Sequence, residues 1–218
     1  MSLSPLGSDI QQGSAAAFAD AYGGTDSQIA DLRFFYDLLE DWGQRMNLVG
    51  PSVRSDFWLR HVFDSAQLLH VEQAALRWAD VGAGAGFPGV VLAILLKGRT
   101  GAQVHLIESM AKRAAFLSHV VRTLSLPASI HHVRAESCPA PKGLEIVTAR
   151  ACAPCSRLFE YTAHFMRAGA KGLFLKGRGV EQELTDARRT WTFTSELIPS
   201  LSDPTGRIVR VERLKPRG

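Results

Sequence analysis

The sequence predicts an α/β protein built on a doubly wound, mostly parallel sheet. Three observations support this prediction. The chain has 218 residues, 46% of them hydrophobic, which is enough for one sizeable domain with a proper core. From residue 76 onward, short apolar runs alternate with helical patterns. A glycine-rich segment, residues 82–89, directly follows the first of these runs, as expected of a tight turn from a strand into a helix.

The first part of the chain is helical by pattern. Apolar residues recur at three- and four-residue steps over residues 26–46, which predicts an amphipathic helix. Residues 47–51 contain Gly50 and Pro51 and end it. A second helical pattern covers residues 55–70, with a possible new helix start at Asp64. We therefore expect a flexible N-terminus over residues 1–25 and a small helical appendage over residues 26–75.

The remaining residues, 76–218, form the predicted sheet domain. The strands are expected at 76–81, 104–107, 128–133, 144–148, 172–176, 190–198 and 207–214. Helices are expected at 90–96, 111–124, 155–166 and 180–189. The last two strands are joined by a loop rich in Pro, Ser and Gly, residues 199–206, rather than by a helix. They can therefore pair antiparallel, which predicts a mostly parallel sheet with an antiparallel last strand.

The charge is distributed unevenly. Residues 1–75 contain ten acidic and four Lys or Arg residues, a balance of −6, whereas residues 76–218 contain eleven and twenty-one, a balance of +10. Such an excess suits a polyanionic partner, although an ordinary solvated basic surface explains it equally well. No apolar run approaches the roughly 20 residues of a membrane span, and no signal peptide is recognisable. With only three cysteines, the chain is expected to be cytoplasmic.

The glycine-rich segment indicates an adenosine-type cofactor. Gly84, Gly86 and Gly89 satisfy the dinucleotide pattern, and Glu108, 19 residues past Gly89, lies where a carboxylate that holds a ribose is expected. Asp80 discriminates between cofactors, because a carboxylate beside the loop would repel a pyrophosphate but attract the sulfonium and ammonium of S-adenosylmethionine. A tight turn without a ligand is the remaining alternative.

Charged residues follow four predicted strands. Asp80, Glu108, Glu136 and Arg150 each stand at or after the end of a strand. Ligands of such sheets bind outside the carboxyl ends of the strands, next to the first one. We therefore expect these four side chains to converge on one crevice.

The motifs in this order and spacing resemble the ribosomal RNA small subunit methyltransferase G family, also called glucose-inhibited division protein B. The resemblance covers about residues 34–177 and is carried by Leu39-x-x-Trp42, Arg60-His61-x-x-Asp64-Ser65, Asp80-Val-Gly-x-Gly-x-Gly-Phe-Pro-Gly89, Leu106-Ile-Glu-Ser109, Arg134-Ala-Glu136, Ala149-Arg150-Ala151 and Leu175-Lys-Gly177. It implies a Rossmann-like class I fold and methyl transfer from S-adenosylmethionine to N7 of one guanine in the decoding-region loop of 16S rRNA. The implied partner is small-subunit rRNA or the ribosomal subunit.

The resemblance also implies cofactor contacts. Carried over by position, they fall on Gly82, Phe87, Ala135, Glu136 and Arg150. The physical interpretation of the glycine segment adds a second group of cofactor-binding residues: Asp80, Gly84, Gly86 and Glu108.

The implied reaction needs positioning rather than acid or base catalysis. Guanine N7 already carries an available lone pair, so no general base is required to start the attack. We therefore nominate Arg150, Asn47, His61 and Lys176 as residues that hold the nucleotide. For His61 and Asn47, anchoring of the helical appendage to the sheet is an equally good explanation.

The protein is expected to act as a monomer without a metal. Several of its cationic side chains are candidates for contacts with RNA phosphates. The candidates are Arg60, Lys112, Arg113, Lys176, Arg178, Arg207 and Arg210.

Three alternatives remain open from the sequence. Pro154-Cys155 after the fourth strand resembles the nucleophile of cytosine-C5 methyltransferases, although a small buried residue explains Cys155 better. The protein could instead bind NAD, or bind RNA without transferring a methyl group. Cys152 and Cys155 also form a C-x-x-C pair, but the chain offers no convincing four-ligand zinc set.

Overall fold

A computed structural model describes residues 14–45, 56–150 and 152–218. Within these ranges the helices are α1 (Ala15–Tyr22), α2 (Asp26–Arg45), the π-helical segment α3 (Phe57–Phe63), α4 (Asp64–Val71), α5 (Gly89–Leu96), α6 (Ala111–Thr123), α7 (Cys155–Arg167) and α8 (Val180–Ala187). The strands are β1 (Arg77–Val81), β2 (Gln103–Ile107), β3 (Ala128–His131), β4 (Ile146–Arg150), β5 (Lys171–Lys176), β6 (Trp191–Pro199) and β7 (Arg207–Pro216).

The strands form one sheet in the order β3-β2-β1-β4-β5-β7-β6. The first five of these pair parallel, and β7 pairs antiparallel with both β5 and β6. The predicted doubly wound sheet with an antiparallel last strand is therefore confirmed. Since β1 has β2 on one side and β4 on the other, the direction of winding reverses at β1. The carboxyl end of this strand is where a ligand is expected.

Helix α5 explains how the glycine segment is held against the sheet. All eight of its residues are buried and nearly all are aliphatic, so it has no polar face to present to water. It packs on β2 on one side and on α2 and α4 on the other. The same hydrophobic cluster contains residues of the N-terminal helices, such as Phe18 and Leu32, and residues of the sheet domain, such as Trp78. The predicted boundary between the helical appendage and the sheet domain, at residues 75 and 76, thus stays a prediction.

The expectation of a flexible N-terminus is wrong for residues 15–22, which form α1. The Ser14 side chain accepts a hydrogen bond from Ala17 N at 3.1 Å, and Gly23 ends the helix in a left-handed conformation. Phe18, only 2% exposed, stacks on Tyr22 and contacts Trp58. A serine cap and one buried aromatic anchor are enough to order this short helix. Residues 1–13 lie outside the described ranges.

The second predicted helix is present but divided. Residues 57–63 form wide π-helical turns, and an ordinary helix begins directly afterwards at Asp64, where a new start was expected. π-Helical turns are rare and occur often at functional sites. This segment carries Arg60 and His61. Among the described helices, none has the length and apolar character needed to cross a membrane.

Candidate active site

The glycine loop between β1 and α5 is shaped by backbone hydrogen bonds. Gly82 and Gly84 have φ values of 72° and 55°, which side-chain-bearing residues rarely adopt. Gly82 N and Ala83 N both donate to the carbonyl of Ile107 at the end of β2, at 2.9 and 3.1 Å. Gly86 also has a positive φ, 100°, and in addition a Cβ there would lie 2.7 Å from Val90. The loop is thereby fixed above the ends of β1 and β2.

Asp80 lies beneath this loop and is fully buried. Its Oδ2 accepts a hydrogen bond from Gly89 N, the first residue of α5, at 2.8 Å. Its Oδ1 has no hydrogen-bond partner among the described residues. Burial raises the pKa of the Asp80 carboxyl to about 7.

The position of Asp80 bears directly on the choice of cofactor. In dinucleotide-binding loops the helix N-terminus receives a pyrophosphate. Here that position is already taken by a carboxylate, which would repel a phosphate. The unpartnered Oδ1 would instead attract a cation, so the loop fits S-adenosylmethionine and does not fit NAD.

Glu108, just after β2, is 4% exposed and is engaged on both oxygens. Oε2 accepts from Gly84 N at 2.9 Å, and Oε1 accepts from Met110 N at 2.7 Å. The side chain therefore ties the glycine loop to the start of α6. Each oxygen keeps a further lone pair, so the predicted contact with a ribose is chemically available and stays a prediction.

The carboxylates expected to share a crevice lie around one thiol. Desolvation raises the pKa of Cys152, and the negative charges of Asp80, Glu108 and Glu136 raise it further. A Cβ added at Gly82 would lie 3.1 Å from the Cys152 Sγ. Glu136 and Ala135 belong to a single 3₁₀ turn after β3. The cofactor contact expected for this turn stays a prediction.

Arg150, at the end of β4, connects the glycine loop to the appendage. Its guanidinium lies 5.0 Å from the centre of the Phe87 ring. Nη1 donates to the carbonyl of Arg60 at 2.8 Å, and Nη2 contacts His61 Nδ1 at 2.6 Å. The carboxylate of Asp64 is 3.8 Å from Nη1. One side chain thus fixes the π-helical segment against the cofactor loop.

His61 is a neutral imidazole in this arrangement. Burial, and after it the neighbouring charges of Arg150 and Arg60, lower its pKa to about 3. Because a guanidinium has no acceptor, Nδ1 must accept from Arg150, and the ring proton is then assigned to Nε2. The ring lies 4.7 Å from the Phe87 ring. His61 can therefore offer one N–H donor to a ligand without carrying charge.

Beside Arg150 opens a cavity of about 370 Å³. It lies between the π-helical segment, the ends of β4 and β5, and the loop that joins β6 to β7. The polar and charged side chains that line it are Arg60, His61, Asp64, Arg150, Lys176, Glu183, Ser200, Ser202, Asp203 and Arg207. The structure thus brings together three of the four nominated positioning residues. The fourth, Asn47, lies outside the described residues.

The other predicted RNA contacts have different surroundings. Lys112 and Arg178 are exposed, and Arg113 is half-buried at the start of α6. Arg210 forms ion pairs with Glu72 and Glu196, at 3.0 and 2.9 Å, along the sheet rather than at its carboxyl edge.

Three acidic residues of the cavity, Asp64, Glu183 and Asp203, were not identified from the sequence as site residues. Asp64 accepts hydrogen bonds from Ser202 and Gln67, both at 2.7 Å, and thereby holds the loop between β6 and β7. Glu183, on α8, pairs with Lys176. The partners of Asp64 lie up to 138 positions away along the chain. No local sequence pattern signals such a contact.

Cys155 does not have the properties of a nucleophile. It is fully buried at the start of α7, and burial raises the pKa of its thiol to about 12. A nucleophilic cysteine needs a lowered pKa and access to substrate. No group of three or more possible metal ligands occurs in the described parts of the chain, so Cys152 and Cys155 do not belong to such a cluster there.

The sheet order, the glycine loop and its buried carboxylate define a Rossmann-like class I methyltransferase, the class that uses S-adenosylmethionine. Solved structures of this fold match at low identity. An S-adenosylmethionine-dependent methyltransferase from Aquifex aeolicus is 14% identical with a TM-score of 0.52, covering 76% of this chain and 95% of that one. A mutant of MtNAS in complex with S-adenosylmethionine is 14% identical with a TM-score of 0.53, covering 94% and 87%.

The chain belongs to the rRNA small subunit methyltransferase G (GidB) family, whose model matches residues 28–206. A ribosomal RNA small subunit methyltransferase G from Caulobacter vibrioides is 56% identical over 200 residues, which are 92% of each chain. One from Methylorubrum populi is 46% identical over 184 residues, 84% of this chain and 87% of that one. The predicted family and enzyme class, an rRNA methyltransferase, are confirmed. S-adenosylmethionine, predicted from Asp80 and the glycine loop, is the cofactor of this family.

Proposed function

We propose that this enzyme transfers the methyl group of S-adenosylmethionine to N7 of one guanine in the decoding-region loop of small-subunit rRNA. The observation that carries the proposal is the polar cavity that adjoins the glycine loop through Arg150, in which cations alternate with the carboxylates of Asp64, Glu183 and Asp203. Arg60, Arg150, Lys176 and Arg207 all line it, and Arg150 spans the distance between the loop and the π-helical segment. A base that enters this cavity would lie next to the cofactor.

The cofactor would be held by the loop side of the crevice. The free Oδ1 of Asp80 suits a cationic group, the backbone of Gly82 and Gly84 allows close approach, and Glu108 keeps lone pairs for ribose hydroxyls. Ala135 and Glu136 would complete the crevice on the β3 side. When bound, S-adenosylmethionine supplies an electrophilic methyl group.

The residues of the cavity would position the base and exclude water. Guanine N7 is an acceptor with a free lone pair, so the reaction requires alignment and a preorganised, water-poor site. His61 stays neutral and offers its Nε2–H as a donor. The rings of Phe87 and His61 pack against each other with a tilt of 30°, and Arg150 lies over the Phe87 ring. In this proposal these groups orient the base and no group removes a proton.

Contacts to the RNA backbone would come from cations around the mouth of the cavity. Arg60 is exposed at its rim, and Arg207 and Arg178 line a neighbouring groove at the ends of β5 and β7. Lys112 and Arg113 extend this basic surface on the β2 side. Arg210 is left out because it lies along the sheet, away from the mouth of the cavity, where it pairs with Glu72 and Glu196. The finer expectations, a cytoplasmic monomer that acts on a ribosomal subunit, belong to the same proposal.

Mapping of the methyl group tests the proposal. Small-subunit rRNA from cells that lack the protein should gain N7-methylguanosine at one position when it is incubated, as naked rRNA or as subunits, with the purified enzyme and S-adenosylmethionine. Methylation of a cytosine C5 would overturn the proposal in favour of the covalent alternative. Calorimetry with S-adenosylmethionine and with NAD is the second test. If the protein bound only NAD, the hypothesis of methyl transfer would be wrong.

The salt dependence of RNA binding tests the basic surface separately. If several phosphates are contacted, the logarithm of the affinity should fall steeply and linearly with the logarithm of salt concentration. A slope close to zero would show that these cations are only solvated side chains.

A further inference from the structure

The wall of the cavity beyond Arg150 carries an ion pair that the proposed reaction has not used. Lys176, at the end of β5, and Glu183, on α8, approach to 2.6 Å between Nζ and Oε2. The side chains are 10% and 31% exposed, and both line the cavity. In the sheet, β4 lies next to β1 and β5 lies next to β4. Lys176 on β5 is therefore one strand further from the glycine loop than Arg150 on β4.

This pair keeps one donor and one acceptor side by side. A lysine ammonium has three N–H donors. Among the described residues, Lys176 uses two of them, on Glu183 and on the carbonyl of Ala153 at 2.9 Å. A carboxylate has about four acceptor sites. Glu183 gives Oε2 to Lys176 and to Cys155 N, and the Cys155 thiol is a further neighbour. An acceptor site on Oε1 therefore stays available as far as the described residues are concerned.

A donor next to an acceptor complements the Watson–Crick edge of guanine. That edge presents an acceptor, O6, beside two donors, N1–H and the N2 amino group. Adenine presents a donor, the N6 amino group, beside an acceptor, N1. The lysine would then face a donor and the glutamate an acceptor, and neither could form a hydrogen bond. N7 lies on the neighbouring Hoogsteen edge, beside O6. A guanine held by its Watson–Crick edge therefore keeps the N7 lone pair free for the methyl group.

We propose that Lys176 and Glu183 read the Watson–Crick edge of the target guanine, with Lys176 donating to O6 and Glu183 accepting from the N1–H and N2 amino group. This inference rests on the proposed function, because it presumes that the base in the cavity is the guanine to be methylated. It defines the substrate as an unpaired guanosine, since a base paired within a helix has no free Watson–Crick edge.

Glu183 has a second consequence for the chemistry. The N7 lone pair forms the new C–N bond, and the electron pair of the broken S–C bond stays on sulfur. The positive charge moves from sulfur to the purine, and no proton is transferred. The ammonium of Lys176, as the donor to O6, lies near the charge that develops on the purine, and the carboxylate of Glu183 offsets this ammonium. Glu183 thus contributes to kcat as well as to selection of the base.

Replacement of the target guanosine by inosine isolates the contact with Glu183, because inosine keeps N7, O6 and N1–H but lacks the N2 amino group. Small-subunit rRNA would be ligated with either nucleotide at the position that the wild-type enzyme methylates, and assembled into subunits. For the wild-type enzyme, we expect kcat/KM to be about tenfold lower on inosine, the size of one hydrogen bond to a charged group. In Glu183→Gln and Glu183→Ala, guanosine should react more slowly, and the ratio between the two substrates should approach one.

The controls separate recognition from structure. Glu183 also caps α7 through Cys155 N, so a purely structural role would slow both substrates equally and leave the inosine ratio at its wild-type value. That outcome would overturn the inference, as would a wild-type enzyme that methylates inosine as fast as guanosine. Asp186→Asn, which removes an exposed charge from the same helix outside both the cavity and the groove, should keep both the rate and the ratio.

If neither Glu183 variant is active, the discrimination can be measured from equilibrium binding instead, as the ratio of the affinities for subunits that carry guanosine and inosine at the target position. Failure of the proposed function looks different, because guanosine would then not be methylated at N7 by the wild-type enzyme at all.

Discussion

The two sides of the crevice are built in different ways. On the cofactor side, Asp80 and Glu108 are buried carboxylates whose partners are backbone N–H groups of the glycine loop and the helix starts beside it. On the substrate side, side chains from four separate segments hold one another, as Arg150 holds His61 and Lys176 holds Glu183. The first side is fixed by local chain geometry and the second by tertiary packing. We therefore expect a substitution on the cofactor side to affect only nearby contacts, and a substitution on the substrate side to disturb several side chains at once.

The largest effect is expected for Arg150→Ala. This change removes the hydrogen bonds to His61 and to the Arg60 carbonyl and takes one of its two cationic neighbours from the half-buried Asp64. Since hydrogen bonds to charged groups are worth about 1.5–3 kcal/mol each, kcat/KM for rRNA should fall at least about 100-fold. Steady-state methylation assays check this, and thermal unfolding should show a lower stability as well.

Arg157→Ala is the matched control for that prediction. Arg157 is exposed on α7 and lies over Tyr161, away from the cavity. Its removal should leave methylation unchanged. If Arg150→Ala retained full activity, the substrate side would not depend on this side chain, and the contrast between the two sides would be lost.

A smaller effect is expected on the cofactor side, for Asp80→Asn. The asparagine oxygen can still accept from Gly89 N, so the loop should keep its shape while the negative charge is lost. Affinity for S-adenosylmethionine should fall about tenfold, the size of one charged interaction in a buried site. Calorimetry measures it, and an unchanged affinity would show that Asp80 has only a structural role.

The pH dependence of the same residue sharpens this prediction. The pKa of Asp80 is raised from 3.8 to about 7 in the folded protein, so the folded state binds a proton that the unfolded state releases. The contribution of this group to stability therefore decreases as the pH rises from about 4 to about 7 and is constant above that range. Cofactor affinity should increase through pH 7 in the wild type, because the ionised carboxylate attracts a cation. The Asp80→Asn variant should lack both trends.

The contrast also explains what the sequence could predict. The fold and the cofactor side follow from consecutive residues: apolar runs define the strands, and Asp80, the glycines and Glu108 stand at fixed short spacings. Glu183 and Asp64 escaped prediction because acidic residues at helix starts have an ordinary capping explanation, and because Ser202, which holds Asp64, lies 138 positions away. Helix α1 was missed because it has only eight residues and its other buried residues beside Phe18 are alanines.

A moderate and local effect is expected for Gly82→Ala. The left-handed φ of 72° costs an alanine about 1–2 kcal/mol, and its Cβ would lie 3.1 Å from the Cys152 Sγ. Gly98→Ala is the matched control, with a φ of 84° and nothing within 4 Å of the added Cβ. Both variants should lose similar stability in denaturant unfolding. Only Gly82→Ala should bind S-adenosylmethionine more weakly, and equal weakening in both would argue against a cofactor role for the loop.

The smallest effect is expected for Cys155→Ala. The thiol is buried, its pKa is raised to about 12, and it lies behind the Lys176–Glu183 pair, with its backbone N–H bonded to Glu183. An alanine fills most of this volume and keeps that N–H, so stability should fall by only about 1 kcal/mol and the methylation rate should stay within about twofold of the wild type. A folded Cys155→Ala protein without activity would mean that the thiol itself takes part in the reaction. The substrate side would then work by covalent attack on a pyrimidine, and its tertiary contacts would serve to expose that thiol rather than to hold a purine.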